Sequence, residues 1–152
     1  MVRLADLDAD MREFLAGWAV PEIAGEPWTP AVPAAERRVA LVSSAGLKVR
    51  TDRGFATDSA DYRVIPADKV DEVIMDHVST SYDRTGFHQD INIAFPLRRL
   101  RELAEEGAIA SVADFHYSFM GATDPRAMEP AARRLAGIMK LDAVNTVVLA
   151  PV

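Results

Sequence analysis

The chain has 152 residues, 49% hydrophobic and 26% charged, with 17 basic against 23 acidic side chains and a formal net charge of −6. That length and apolar share suit one domain with a single core and exclude a disordered chain, while the absence of cysteine excludes a disulfide scaffold, a thiolate and an iron–sulfur ligand set within these residues. No apolar run reaches the ~20 residues of a membrane helix, Met1 to Asp10 lacks a signal core, and no basic stripe invites phosphate. The expectation is a cytoplasmic protein without nucleic-acid or membrane partners.

Residues 1–36 read as an arm. Asp8 or Asp10 caps a short helix running to about Trp18, with Met11, Phe14, Leu15 and Trp18 on one side. Pro21, Pro27, Pro30 and Pro33 then impose extended backbone that lacks several donors. Trp18 and Trp28 pin this segment either to the chain's own core, the favoured reading, or to a partner subunit. Residues 37–152 follow the pattern of an α/β domain. The run from Arg38 to Ser43 (RVALVS) lacks polar alternation, as expected of a strand covered on both faces. It ends in Ser43-Ser44-Ala45-Gly46, a small-residue loop without a nucleotide-binding glycine fingerprint.

Residues 47–60 are polar and irregular. Tyr62 to Pro66 and Glu72 to Asp76 read as short strands, the second also compatible with a helix. Ser79 to Asn92 forms a long polar connection of the kind that commonly carries function. A helix begins at Pro96, buries Leu97, Leu100, Leu103 and Ala104, and stops at Gly107. Its charges oppose the helix dipole, with Arg98, Arg99 and Arg101 at the positive end and Glu105 and Glu106 at the negative end. Either Arg98–Glu102 and Arg101–Glu105 pairs offset this, the favoured account, or an arginine faces an anion or an acidic partner.

A strand through Val112 to Tyr117, a turn at Gly121 to Pro125, and a helix from about Glu129 to Lys140 with Pro130 at its first position come next. A β-branched strand from Ala143 to Val152 closes the chain. Strands alternating with amphipathic helices predict an α/β fold: an open, mostly parallel, Rossmann-like sheet with flanking helices, incomplete at the C-terminus.

Ligands of open parallel sheets bind outside the carboxyl ends of the strands. Two such ends stand out, the Ser43–Gly46 loop and Ala150 to Val152. The polar candidates are His77, His88, His116, Asp83, Asp90 and Asn92. The histidine spacing matches no metal-ligand pattern, so no metal site is expected. A histidine or carboxylate folded back over the sheet edge could serve as a general base. Ser43-Ser44 lacks the nucleophile elbow of serine hydrolases.

Taken in order, Val39 to Gly46, Tyr62 to Pro66, Asp90 to Leu103, Gly107 to Ile109, Phe115 to Gly121 (FHYSFMG) and Asp142 to Pro151 resemble the selenoprotein B family of glycine, sarcosine, betaine and D-proline reductases. The likeness is strongest to the small, selenocysteine-bearing D-proline reductase type and covers roughly residues 36–152. It implies reductive cleavage at the α-carbon of a small amino acid. In the family a selenocysteine or cysteine attacks substrate held as an iminium on a pyruvoyl group, which the D-proline type carries on a partner subunit. Such a nucleophile is ionised at neutral pH.

The family's redox motif follows its final strand, so the nucleophile is expected just after Val152 and no catalytic residue within this chain. A UGA codon read as a stop would explain this, and the triplet after Val152 tests it. The fragment by itself is then expected to be inactive. By resemblance, Ser43, Ser44, Gly46, Tyr117, Ser118, Met120, Gly121 and Pro151 form the pocket wall. His77, Asp90, Asn92 and His116 orient substrate or shuttle protons. The chain is expected to assemble with itself or with a pyruvoyl-bearing or other reductase subunit. The competing expectation is a non-catalytic binding or assembly subunit that lacks the redox tail, and a third is an enzyme using a histidine–aspartate pair.

Overall fold

The computed structural model describes residues 3–17, 21–79 and 83–152. Helix α1 (Ala9–Ala16) forms as expected, with the Asp8 carboxylate accepting the Met11 N–H at 2.8 Å. Trp18 lies outside the described residues. Trp28, 88% exposed, does not pin the arm to the chain's own core, although Glu22, Ile23, Ala24 and Pro27 border a cavity with α4 (Pro125–Leu141). Prolines hold this backbone extended, and an extended segment with no ladder partner has no means of driving its side chains inward.

Strand β1 (Arg38–Ser43) is the centre of a five-stranded sheet. Ala40 and Leu41 are fully buried, as the unalternating sequence requires. On one side β1 pairs in parallel with the closing strand β7 (Thr146–Ala150) through five residues, from Val39↔Thr146 to Ser43↔Ala150. On the other it meets β5 (Ser111–Val112) along its first half and β6 (Phe115–Ser118) along its second, both parallel. Strand β3 (Arg63–Pro66) continues the sheet beyond β6 but runs antiparallel to it. Residues 47–60 are not wholly irregular: β2 (Leu47–Val49) pairs antiparallel with β4 (Val73–Met75) in a small second sheet. The result is a mixed α/β fold with a mostly parallel main sheet.

Each face carries its own core. Helix α3 (Leu97–Glu105) buries Leu97 and Leu100, with Phe95, against Val39, Leu41 and Ile65. Helix α4 (Pro125–Leu141) buries Ala131 and Leu135 against Tyr117 and Phe119 on the opposite face. Gly107 ends α3's turn at φ 73°, the left-handed conformation that glycine adopts without strain. The polar connection folds into short turns, α2 (Thr85–Gln89) and a 3₁₀ turn at Ile91–Ile93.

Two local expectations are corrected. Helix α4 starts at Pro125, capped by Asp124, whose carboxylate accepts the Arg126 N–H at 2.9 Å, and it runs through Pro130. One missing hydrogen bond near a helix start costs less than forfeiting a capped first turn. The arginines of α3 do not form the i, i+4 pairs either. Arg98 meets Asp71 at 2.7 Å, Arg99 meets Glu102 at 2.8 Å, and Arg101 donates to the Ala67 carbonyl. Two of the three tie the helix start to the neighbouring 67–72 turn, so tertiary geometry overrides local pairing.

Candidate functional site

The carboxyl ends of β1, β6 and β7 are knitted together by their loops. The Ser44 N–H donates to the Ala150 carbonyl at 3.2 Å, and Ser44 Oγ accepts the Val152 N–H at 2.9 Å. Ser43, 1% exposed, turns its hydroxyl back to accept the Ala45 N–H at 3.2 Å. Gly46 donates to the Phe119 carbonyl at 2.9 Å and accepts the Asp76 N–H at 2.8 Å. Its φ of 63° and the approach of His77, whose Cα would lie 2.8 Å from an added Cβ, both demand glycine. Gly121, at φ 86°, likewise leaves no room between itself and the Ser44 carbonyl for a side chain. Ser118 Oγ accepts the Leu47 N–H at 2.9 Å and so anchors the start of β2 to the same edge.

Behind this edge, between α4 and β7, lies a groove of about 340 Å³. Met128, Leu135 and Met139 form one bank and Val147, Leu149 and Pro151 the other, with Ser43 and Ser44 at the mouth. Among the described residues, no ionisable side chain lines it. A larger cleft of about 690 Å³ opens near Lys69, Arg101 and Asp114, at the opposite edge of the sheet, and includes none of the candidate residues. Of these two cavities, the apolar groove is the one that meets the loops at the carboxyl edge, and a third of about 1060 Å³, between residues 22–27 and α4, shares Met128 and Ala132 with it.

A family profile described as glycine/sarcosine/betaine reductase selenoprotein B matches residues 8–152. The chain is also 32% identical over 127 residues to the D-proline reductase subunit gamma of Acetoanaerobium sticklandii, an alignment covering 80% of this chain and 52% of that protein. The chain belongs to the selenoprotein B reductase family. It spans about half the length of that curated relative. No solved structure matches the chain.

The edge gathers only some of the residues that the sequence nominates for this selenoprotein B chain. Ser43, Ser44 and Pro151 line the groove, Gly46, Ser118 and Gly121 belong to the adjoining loops and strand end without lining it, and Tyr117 and Met120 are buried at 2% and 0% exposure. Tyr117 packs edge-on to Tyr62 at 5.6 Å, and burial raises its phenol's pKa. His77 packs its backbone against Gly46 but does not line the groove. Its Nδ1 accepts the Ser79 N–H at 3.1 Å, and burial, then the nearby Arg84 guanidinium, lowers its pKa.

His116 has a different setting. It is fully buried within β6, two residues before the edge, and its Nδ1 accepts the Leu41 N–H at 3.0 Å. That amide faces the break between β5 and β6, where a strand carbonyl would ordinarily receive it, so the ring mends the ladder. Burial pushes the His116 pKa down to about 4, and its Nε2 has no hydrogen-bond partner among the described residues. Asp90 and Asn92 sit on the turn before α3 and bond to each other, the Asp90 carboxylate accepting both the backbone and side-chain N–H of Asn92 at 2.9 and 2.7 Å. Those bonds hold Asp90 below its usual pKa, and none of them reaches the serine loop.

Sequence reading missed the frame beneath this edge. Arg63, 5% exposed, donates to the Arg53 and Gly54 carbonyls at 2.9 and 2.8 Å and lies over the Phe55 ring. Asp76 accepts the Phe55 N–H at 2.7 Å. These hold the 50–56 loop against β4 and thereby seat His77 beside Gly46. The polar composition of 47–60 gave no hint that two charged side chains would be turned inward to organise it. No group of acidic or histidine side chains suited to a metal occurs among the described residues, and no helix among them is long and apolar enough to cross a membrane.

Proposed function

We propose that this chain forms the α/β part of an amino-acid reductase subunit that cleaves a bond at the substrate α-carbon, of the D-proline or glycine/betaine reductase type. The observation that carries the reading is the convergence of three strand ends on one apolar groove in a chain of this family. The reaction needs a nucleophile, and none of the 152 residues is a cysteine. The proposal therefore assigns the selenocysteine or cysteine to polypeptide outside these residues, and the iminium-forming pyruvoyl group to a partner subunit.

The groove suits such an arrangement. Its methionine and aliphatic lining fits a large polarisable chalcogen and the carbon skeleton of a small substrate, and the Ser43 and Ser44 hydroxyls stand at the mouth. The chalcogen supplies the electron pair that attacks the α-carbon when it is present. The chain's own residues do the rest: Gly46 and Gly121 let the loops close up, Ser44 holds the Ala150–Val152 backbone, and the apolar bank excludes water. None of the three histidines is among the residues that line the groove, so proton transfer is assigned to the polypeptide that brings the nucleophile.

Reconstitution tests this. The chain, combined with its cysteine- or selenocysteine-bearing polypeptide and a pyruvoyl subunit, should consume a dithiol reductant in the presence of D-proline, glycine, sarcosine or betaine. The chain alone should not. Turnover by the chain alone, or none by the assembly with any of these substrates, refutes the reading.

A second reading is favoured by the exposed arm: an assembly subunit whose Ile23 and Trp28 face a partner. Deleting residues 1–36 should then abolish complex formation, and Ser44→Ala should leave turnover of the complex unchanged. A fall in turnover with Ser44→Ala decides for the catalytic wall.

A further inference from the structure

Strand β7 is the unguarded margin of the main sheet. It pairs with β1 and with no other strand among the described residues. The Ala150 carbonyl accepts from Ser44, so by alternation Thr146 and Val148 also pair inward, and the backbone N–H and C=O of Val147 and Leu149 point away from the sheet. Edge strands that stay unpaired are normally protected by lysine, proline or a bulge. The TVVLA sequence of β7 has none of these.

The side chains carry the same message. Val148 packs on the α3-side core, but on the α4 side Val147 is 37% and Leu149 70% exposed. Ile138 and Leu141 of α4, at 43% and 91%, extend the apolar surface beyond the groove. Handedness picks the same face. The step from β6 across β1 to β7, made through α4, travels over the α4 face. A right-handed helix connection from β7 to a strand outside it must again cross the α4 face. That is where the groove lies open.

We infer that the β7 edge and the α4–β7 groove are the docking surface for a strand-and-helix unit. In this inference the strand pairs in parallel with β7 while an apolar helix face fills the groove. The occupant is the polypeptide corresponding to the half of the D-proline reductase subunit gamma that this chain does not span. Length and chemistry favour this occupant: a relative in which these residues align with 52% of the protein has a further half to place, and the open apolar groove and unpaired β7 edge offer it a place. This rests on the family reading for the occupant's identity, but its test reads binding, not turnover, so the two fail separately.

The experiment mixes the 152-residue chain with the unmatched half of the Acetoanaerobium sticklandii subunit, using that subunit's own matched half as the positive control. Light scattering should report a one-to-one complex, and hydrogen exchange should show new protection at the Val147 and Leu149 amides. Leu149→Lys leaves a charge in the contact and should weaken binding about tenfold or more, whereas Ile93→Lys on the far face should not. Both sites are exposed, so both variants should keep the parent's thermal unfolding. Three results overturn the inference: no complex where the control forms one, protection confined to the arm or the α3 face, or self-association of the chain with the same protection, which would make a second copy the occupant.

Discussion

The two faces of the central sheet are built from the same strands yet finished differently. On the α3 side, Phe95, Leu97, Leu41 and Ile65 are all fully buried and the core is closed. On the α4 side, Ala131 and Leu135 seal Tyr117 and Phe119, but the helix leaves β7 bare and a groove beside it. One face is organised to hold the fold, the other to receive something. Stability and binding are thus assigned to opposite sides of one layer.

Mutations on the two faces should separate accordingly. The largest effect is expected for Phe95→Ala, which empties a fully buried aromatic site and should cost about 3–5 kcal/mol in denaturant unfolding. A loss below 1 kcal/mol, roughly, would mean that the α3 face is not the closed one.

Next comes the pH response of His116. Its folded pKa of about 4 lies below the ordinary 6.5, so the unfolded chain binds a proton first as pH falls. Its contribution is complete above pH 6.5 and declines toward pH 4, a loss of about 3 kcal/mol over that interval. Unfolding free energies compared between the parent and His116→Phe should fall more steeply in the parent, because His77, also lowered, contributes to both. Equal slopes would show the His116 ring to be solvated in the fold.

Arg38→Ala should be intermediate. Its guanidinium joins Asp142 at 2.8 Å and Asp114 at 3.0 Å and also donates to the Asp142 and Val112 carbonyls, tying β1, β5 and the end of α4 together. Removing it should cost about 1–3 kcal/mol by thermal or chemical unfolding, since it leaves partly buried acceptors unmatched. The smallest effect belongs to the open face: Leu149→Ala should change the isolated chain's stability by less than about 0.5 kcal/mol. A larger loss would place Leu149 in the core and remove the contrast between the faces.

The legible parts of the sequence were those where one local rule acts unopposed. Unbroken apolar residues at 38–43, the Gly107 stop and the β-branched run to Ala150 each name their element. So does the candidate edge, because Ser43–Gly46 and Gly121 combine small size with a turn. What stayed hidden depends on distant partners. The Asp124 cap outweighed Pro130 in setting where α4 begins, and Asp71, far along the chain, took Arg98 from its helical neighbour. His116 looked like chemistry and sits in the seam of the sheet, because nothing in FHYS reveals that the ladder breaks just before it.

That seam is sensitive to protons. The Leu41 amide lies at the heart of the most enclosed strand, yet it is latched by an aromatic nitrogen lone pair in place of a carbonyl. A lone pair can be taken up by a proton and a carbonyl latch largely cannot. Acid near pH 4 therefore acts on a hydrogen bond at the centre of the sheet, where the neighbouring strand bonds, made to carbonyls, are indifferent to it.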